Sequence, residues 1–203
     1  MSKRPGKNKE NLKETHRVFL LIAREEFAEH GYAEASTSRI VQKSGMARGS
    51  LYYHFGDKNG LFKAVYEEIM YEGLDFVSNA MEGENDKWQA LHTGIQAFLD
   101  LCLDHNFRKI TLVESQAAMS FSERYAIHEK TLLGKLRELL PDLFEQGYFP
   151  EHTEDTISIL LFGMLAETGR TLDIVKDSKL KRKIFGRAIK STLNLMQPPK
   201  KSN

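Results

Sequence analysis

The chain has one cysteine, one tryptophan and five prolines in 203 residues. With Cys102 alone, no intrachain disulfide can form, so the fold has no use for an oxidising compartment and a cytoplasmic location is expected. Long apolar runs are missing too. The longest, Val18 to Ala23, is far shorter than the roughly 20 residues that cross a bilayer, and the basic start Met1-Ser2-Lys3-Arg4 is followed by no apolar segment of a secretion signal. No membrane partner is expected. The histidines at 16, 30, 92, 105, 128 and 152 show no paired ligand spacing, and no second cysteine exists to join them. Glycine-rich phosphate loops, nucleophile elbows and close acid–base pairs are likewise absent. The expectation is therefore no metal, no cofactor and no enzyme.

Prolines occur only at 5, 141, 150, 198 and 199, and the stretch between the first two repeats apolar residues every three or four positions. That pattern predicts an all-α chain. A first helix is expected from about Asn11 to His30, with Phe19, Ala23 and Phe27 on one face and Gly31 as a left-handed stop. Two short helices follow, then a long one that starts at Asp57 and runs to about Met81 through Leu61, Phe62, Val65 and Ile69. Further helices are expected over 87–104, 108–119, 122–146 (bent or interrupted at Pro141), 153–175 and 179–196. His105-Asn106-Phe107 reads as a turn and Gly147-Tyr148-Phe149-Pro150 as a break.

The formal net charge of +1 hides an asymmetry: residues 1–63 hold 12 Lys+Arg against 7 Asp+Glu, and the remainder 17 against 21. A basic N-terminal part suits phosphate, and an acidic larger part does not. The expected organisation is a disordered basic arm over 1–10, a helix-turn-helix DNA-binding domain over 11–56, a larger helical domain over 57–197 and a disordered tail over 198–203.

The run from Thr37 to Lys58 carries the most information. Ile40 and Val41 give a short helix its buried side, Gly45 stops it, and a second short helix beginning near Ala47 or Arg48 mixes aromatic, hydroxyl and cationic groups. Such groups meet base edges and phosphates in a major groove. Arg48 can donate two parallel bonds to a guanine, Gly49 permits close backbone approach, and Ser50 can donate or accept. Lys58 lies at a helix start, where unpaired N–H groups already favour an anion. Leu51 and Phe55, four apart, are expected to pack on the first helix.

Phe27-Ala28-Glu29-His30-Gly31-Tyr32, then Thr37, Ile40, Gly45, Leu51-Tyr52-Tyr53-His54-Phe55, Asp57-Lys58 and Leu61-Phe62 resemble, in order and without gaps, the N-terminal domain of TetR-family transcriptional regulators. The resemblance covers about residues 12–66. It implies a homodimer that places two heads on a near-palindromic double-stranded operator and a larger domain that dimerises and binds a small inducer. By the same resemblance Arg48, Gly49, Ser50 and Tyr52 face bases, while Thr37, Tyr53, His54 and Lys58 hold phosphates. One departure is Ala47, where the family has Ser or Thr as the cap of the recognition helix; losing that cap costs on the order of 1 kcal/mol.

The middle of the chain is rich in aromatic residues and methionine, which line apolar pockets well. Phe98, Cys102, Glu114, Met119, Tyr125 and Phe162 are the candidate ligand residues, with Phe107 and Phe121 beside them and Glu114, Gln116 or His92 able to orient a polar group. A mostly apolar, uncharged or weakly charged inducer is expected. For the dimer, Leu161, Leu165, Thr168 and Leu172 with Ile184 and Ala188 form the candidate face, because Gly163, Ala166 and Gly169 between them allow close helix approach; the same stripe would also serve an internal core. Two rival readings stand beside the inducible repressor: a ligand-independent DNA-binding protein that recruits a protein partner, and a helical enzyme or carrier that kept the N-terminal module.

Overall fold

The structure is a computed structural model that describes residues 5–197. Among these, every regular element is helical: α1 (Pro5–Glu34), α2 (Thr37–Ser44), α3 (Arg48–Phe55), α4 (Lys58–Met81), α5 (Lys87–Leu101), α6 (His105–Phe107), a π-helical segment (Arg108–Glu114), α7 (Ser115–Ala118), α8 (Phe121–Lys130), α9 (Leu132–Glu145), α10 (Glu154–Thr171) and α11 (Ser178–Asn194). Most boundaries have local causes. Ser36 caps α2 by accepting from Arg39 N–H, and Gly45 ends it at φ 66°. Asp57 caps α4 through Gly60 N–H at 2.7 Å, and Asp86 caps α5 through Gln89 N–H at 2.9 Å. Each such cap satisfies one N–H that the helix cannot, worth about 1 kcal/mol.

The structure departs from the sequence-based expectation in several places. Helix α1 begins at Pro5, so residues 5–10 of the expected disordered arm are helical; residues 1–4 of that arm and the expected tail at 198–203 lie outside the described residues. Gly31 breaks the helix at φ 72° and ψ 171°, and one further turn follows. His105–Phe107 is helical and runs into the π-helical segment. There Thr111 and Ser115 donate their hydroxyls to the carbonyls of Phe107 and Thr111, each at 2.7 Å, a back-bonding that bends helices. The expected interruption at Pro141 falls instead at Thr131, whose φ of −127° and ψ of −122° separate α8 from α9. Pro141 sits inside α9; its missing N–H is tolerated because Leu136, Leu139, Leu140 and Leu143 bury the helix around it.

Helices α1–α3 and the start of α4 enclose a small core in which Phe19, Ala23, Phe27, Ile40, Leu51, Leu61 and Phe62 are fully buried. Burying each large apolar side chain stabilises by roughly 1.5–3 kcal/mol relative to exposure. Helix α4 continues out of this head into the larger domain, where Tyr66, Met70 and Val77 extend the same continuous core to residues of α5, α9 and α10. No helix among the described residues is long and apolar enough to cross a membrane.

Candidate nucleic-acid interface and interior cavity

The head is fastened by an ion pair that sequence patterning did not single out. Glu26, fully buried on α1, accepts from Arg39 Nε at 2.7 Å and from Ser36 N–H at 2.9 Å. Burial opposes its ionisation, but the Arg39 and Ser36 bonds outweigh that and hold its carboxyl below the usual range. One carboxylate thus positions α2 on α1. The only sequence hint was a carboxylate sharing a helix with Phe19, Ala23 and Phe27 on the buried side.

Helix α3 presents Arg48, Gly49, Tyr52 and Tyr53 to the outside. Ala47 makes no side-chain cap, as the residue type requires, and Ser50 N–H bonds the Ala47 carbonyl at 2.9 Å. A Cβ added at Gly49 would meet nothing within 4 Å, so that surface is open to a groove. Arg48 lies along Tyr52, donating to its hydroxyl at 3.2 Å with the guanidinium 5.6 Å from the ring centre. Tyr52 is 37% exposed and Tyr53 75%, so the adjacent tyrosines have different surroundings. The Arg48 bond, then one from Thr37, holds the Tyr52 phenol below its ordinary range, which groups Thr37, Arg48 and Tyr52. His54 turns inward, its ring edge-on to His16 with centres 5.7 Å apart and its Nε2 buried without a partner. Lys58 is engaged within the head: its ammonium donates to the Ala33 carbonyl at 2.9 Å and lies 4.9 Å from the Tyr32 ring centre.

In the larger domain a cavity of about 290 Å³ opens between α4, the π-helical segment, α8 and α10. Phe98, Tyr125 and Phe162 of the ligand candidates line it, as do Phe107, Gln116 and Phe121. Cys102, Glu114 and Met119 do not. Cys102 is buried where α5 crosses α10, its Sγ 2.6 Å from a Cβ that would stand on Gly169, and burial pushes its thiol pKa up. Met119 is buried and offers only its carbonyl, to Arg124. His92 is also elsewhere, buried edge-on against Trp88. Sequence patterning missed Tyr66, Met70, Arg124 and His128 in the wall; Tyr66 and Met70 belong to the same i, i+4 row as Phe62, a row that looks like plain core. The Tyr66 hydroxyl and His128 Nε2 pair at 2.6 Å. Burial, then the charge of Arg124, pushes His128 down to about 4, so its imidazole is neutral at physiological pH.

Glu114 points the other way, to the head. Its carboxylate accepts the backbone N–H of Tyr32 at 2.7 Å and pairs with Lys109 at 3.1 Å. A Cβ on Gly31 would come within 2.9 Å of that carboxylate, so the glycine serves both its positive φ and this close approach. A second tie lies nearby, where Asn59 at the start of α4 donates to the Ala118 carbonyl at 2.5 Å.

The dimer candidates divide by exposure. Leu161, Leu165 and Leu172 are buried in the protomer's own core, and Thr168 bonds the Met164 carbonyl at 2.7 Å. Ile184 and Ala188 are exposed, and on α10 the exposed large apolar residues are Ile159 and Leu160, the latter at 60%.

An all-helical head with a short, outward-facing second helix, carried on a larger helical domain, defines a helix-turn-helix transcriptional regulator. Two family models match: one described as bacterial regulatory proteins of the tetR family over residues 20–65, and one described as the tetracyclin repressor-like C-terminal domain over residues 88–195. The HTH-type transcriptional repressor Rv1474c of Mycobacterium tuberculosis is 33% identical over 170 residues, covering 80% of this chain and 86% of the relative. The structure of a TetR-family transcriptional regulator from Pectobacterium atrosepticum superposes with a TM-score of 0.76 at 26% identity, covering 92% of this chain and 96% of that one. RolR in complex with resorcinol has the same fold, with a TM-score of 0.70 at 19% identity and coverage of 94% and 91%. The chain belongs to the TetR family: it is a DNA-binding transcriptional regulator and not an enzyme.

Proposed function

We propose that this protein is a homodimeric repressor that leaves a near-palindromic operator when a small, mostly apolar ligand enters the larger domain. One observation carries the reading: the chain segment that walls the cavity also holds the head. Thr111, Leu112, Ser115 and Gln116 line the cavity, while Glu114 and Ala118 between and beside them bond Tyr32 and Asn59 of the head. A ligand that binds better to an altered arrangement of this segment shifts the head with it. Helix α4, which lines the cavity with Tyr66 and Met70 and starts at the head, is the second lever. RolR, which shares the fold, was solved with resorcinol, and Rv1474c is a repressor; both support the reading.

On DNA, Arg48, Gly49 and Ser50 read base edges, and Tyr53 with Thr37 anchors the backbone. Two such heads must sit about one helical turn, or a multiple, apart to meet both half-sites. The dimer face is formed by Leu160, Gly163, Ile184 and Ala188, which leave the protomer exposed.

The test begins with duplexes that the protein selects from a random DNA pool. A library of small lipophilic compounds is then screened for thermal stabilisation, and every hit is assayed for release of the selected duplex. Stabilising compounds that release DNA are expected. Hits that stabilise the protein and leave DNA binding intact would refute the inducer model and favour a ligand-independent regulator.

A further inference from the structure

We propose that the ligand of this cavity is an apolar molecule bearing a single carboxylate, read by the guanidinium of Arg124. The inference rests on the cavity being the regulatory site and goes on to name the ligand's charge. The wall is mostly aromatic and aliphatic, with Phe98, Phe107 and Phe162 around the body of the space. Its hydroxyls are already committed, since Thr111 and Ser115 donate to carbonyls of their own segment. The Tyr66 hydroxyl is paired with His128.

Arg124 is different. Its Nη1 donates to the carbonyls of Ser115 at 3.2 Å and Met119 at 2.5 Å, which fixes the side chain in the wall. Among the described residues no carboxylate lies within 4 Å of it, and its Nε and Nη2 have no acceptor. The other guanidinium of the wall, Arg170, is matched by Glu167, which lines the cavity with it. His128 is neutral and adds no charge. The lining therefore holds one uncompensated positive charge beside apolar surface.

Arg124 is half-buried, and its unbonded Nε and Nη2 keep contact with solvent, so the charge stands without a partner and an anion entering beside the apolar surface meets donors free to receive it. The Nε and Nη2 donors lie on one edge of a planar fork, and this edge matches the two oxygens of a carboxylate. A single excess charge suits a monoanion over a doubly charged phosphate. The volume of about 290 Å³ lies at the lower end of the roughly 300–1,000 Å³ of ligand pockets, so the ligand is small. Because Arg124 also holds the carbonyls of Ser115 and Met119, its engagement acts on the segment that bonds the head.

Isothermal titration calorimetry with matched acids and amides tests this: 4-phenylbutyrate against 4-phenylbutyramide and octanoate against octanamide, at neutral pH. The wild-type chain should bind an acid about tenfold or more tightly than its amide. Arg124→Gln should abolish that preference by weakening acid binding about tenfold more than amide binding, and Arg124→Lys should restore part of it. Phe162→Trp, which fills the space, should remove binding of both. The wild-type acid-to-amide ratio needs no variant to fold. Equal binding of acid and amide overturns the charge assignment and leaves the cavity as a ligand site. No binding of any of the four overturns both readings. Acid binding that survives Phe162→Trp puts the carboxylate elsewhere and also overturns the proposal.

Discussion

Arg48 and Lys58 carry similar charges yet have different employment, and the difference sets different expectations. Arg48 is exposed on α3 and steadied by Tyr52, so Arg48→Ala should relax preference at one or two base positions, at about 1–3 kcal/mol per lost pair; selection of a new duplex pool by the variant reads this out. The ammonium of Lys58 is held by the Ala33 carbonyl and the Tyr32 ring. Lys58→Ala should therefore lower the melting temperature and leave the salt dependence of DNA binding unchanged. A slope smaller by about one unit would instead show that the ammonium swings to a phosphate. His128 gives a pH expectation. Its folded-state pKa, about 4, lies below its ordinary 6.5, so between these values the unfolded chain binds more protons and stability falls as pH is lowered through the window. Denaturant midpoints measured across that range should decline for the wild type and decline less for His128→Gln.

At the scale of elements, the junction of head and body depends on Gly31 and the segment opposite it. The sequence reading placed a left-handed stop at Gly31; the structure has the positive φ, 72°, but with ψ at 171° and one further helical turn beyond it, so the special position was legible and the stop was not. Glu114, by contrast, was read as a ligand group. A carboxylate in a helical stretch carries no sign of its partner when that partner is a backbone N–H at Tyr32, far away in sequence. Gly31→Ala should cost at least about 1–2 kcal/mol from the positive φ alone, and more from its collision with the Glu114 carboxylate. Glu114→Gln keeps an acceptor for Tyr32 N–H, whereas Glu114→Ala leaves that donor unpaired. In the proposed mechanism Glu114→Ala weakens the response of DNA release to ligand and Glu114→Gln largely preserves it. Equal responses in both variants would remove this contact from the coupling.

At the scale of the whole molecule, the proposed association face on α10 departs from the reading of the sequence, because Leu161, Leu165 and Leu172 are buried within the protomer while Leu160 and Gly163 are exposed. Leu160 and Leu161 are adjacent, about 100° apart on a helix, and the spacing of apolar residues fits either as the outward side. Packing decides: Leu161 is 4% exposed and Leu160 60%. Leu160→Glu should yield a folded monomer with weakened operator binding, seen by sedimentation and by an unchanged circular dichroism spectrum. Leu161→Ala should instead destabilise the fold, by about 2–5 kcal/mol. A Leu160→Glu chain that stays dimeric would place the interface elsewhere.

Periodicity, caps and the order of motif residues were sufficient to determine an all-helical chain, its head and the short helix proposed to read DNA, because these depend on neighbours within a few positions. The ion pair of Glu26, the inward turn of His54, the engagement of Lys58 and the solitary charge of Arg124 were decided only by tertiary structure. Each depends on which distant groups are brought within a few ångströms, and the free energy of a charge depends on that company more than on its own identity.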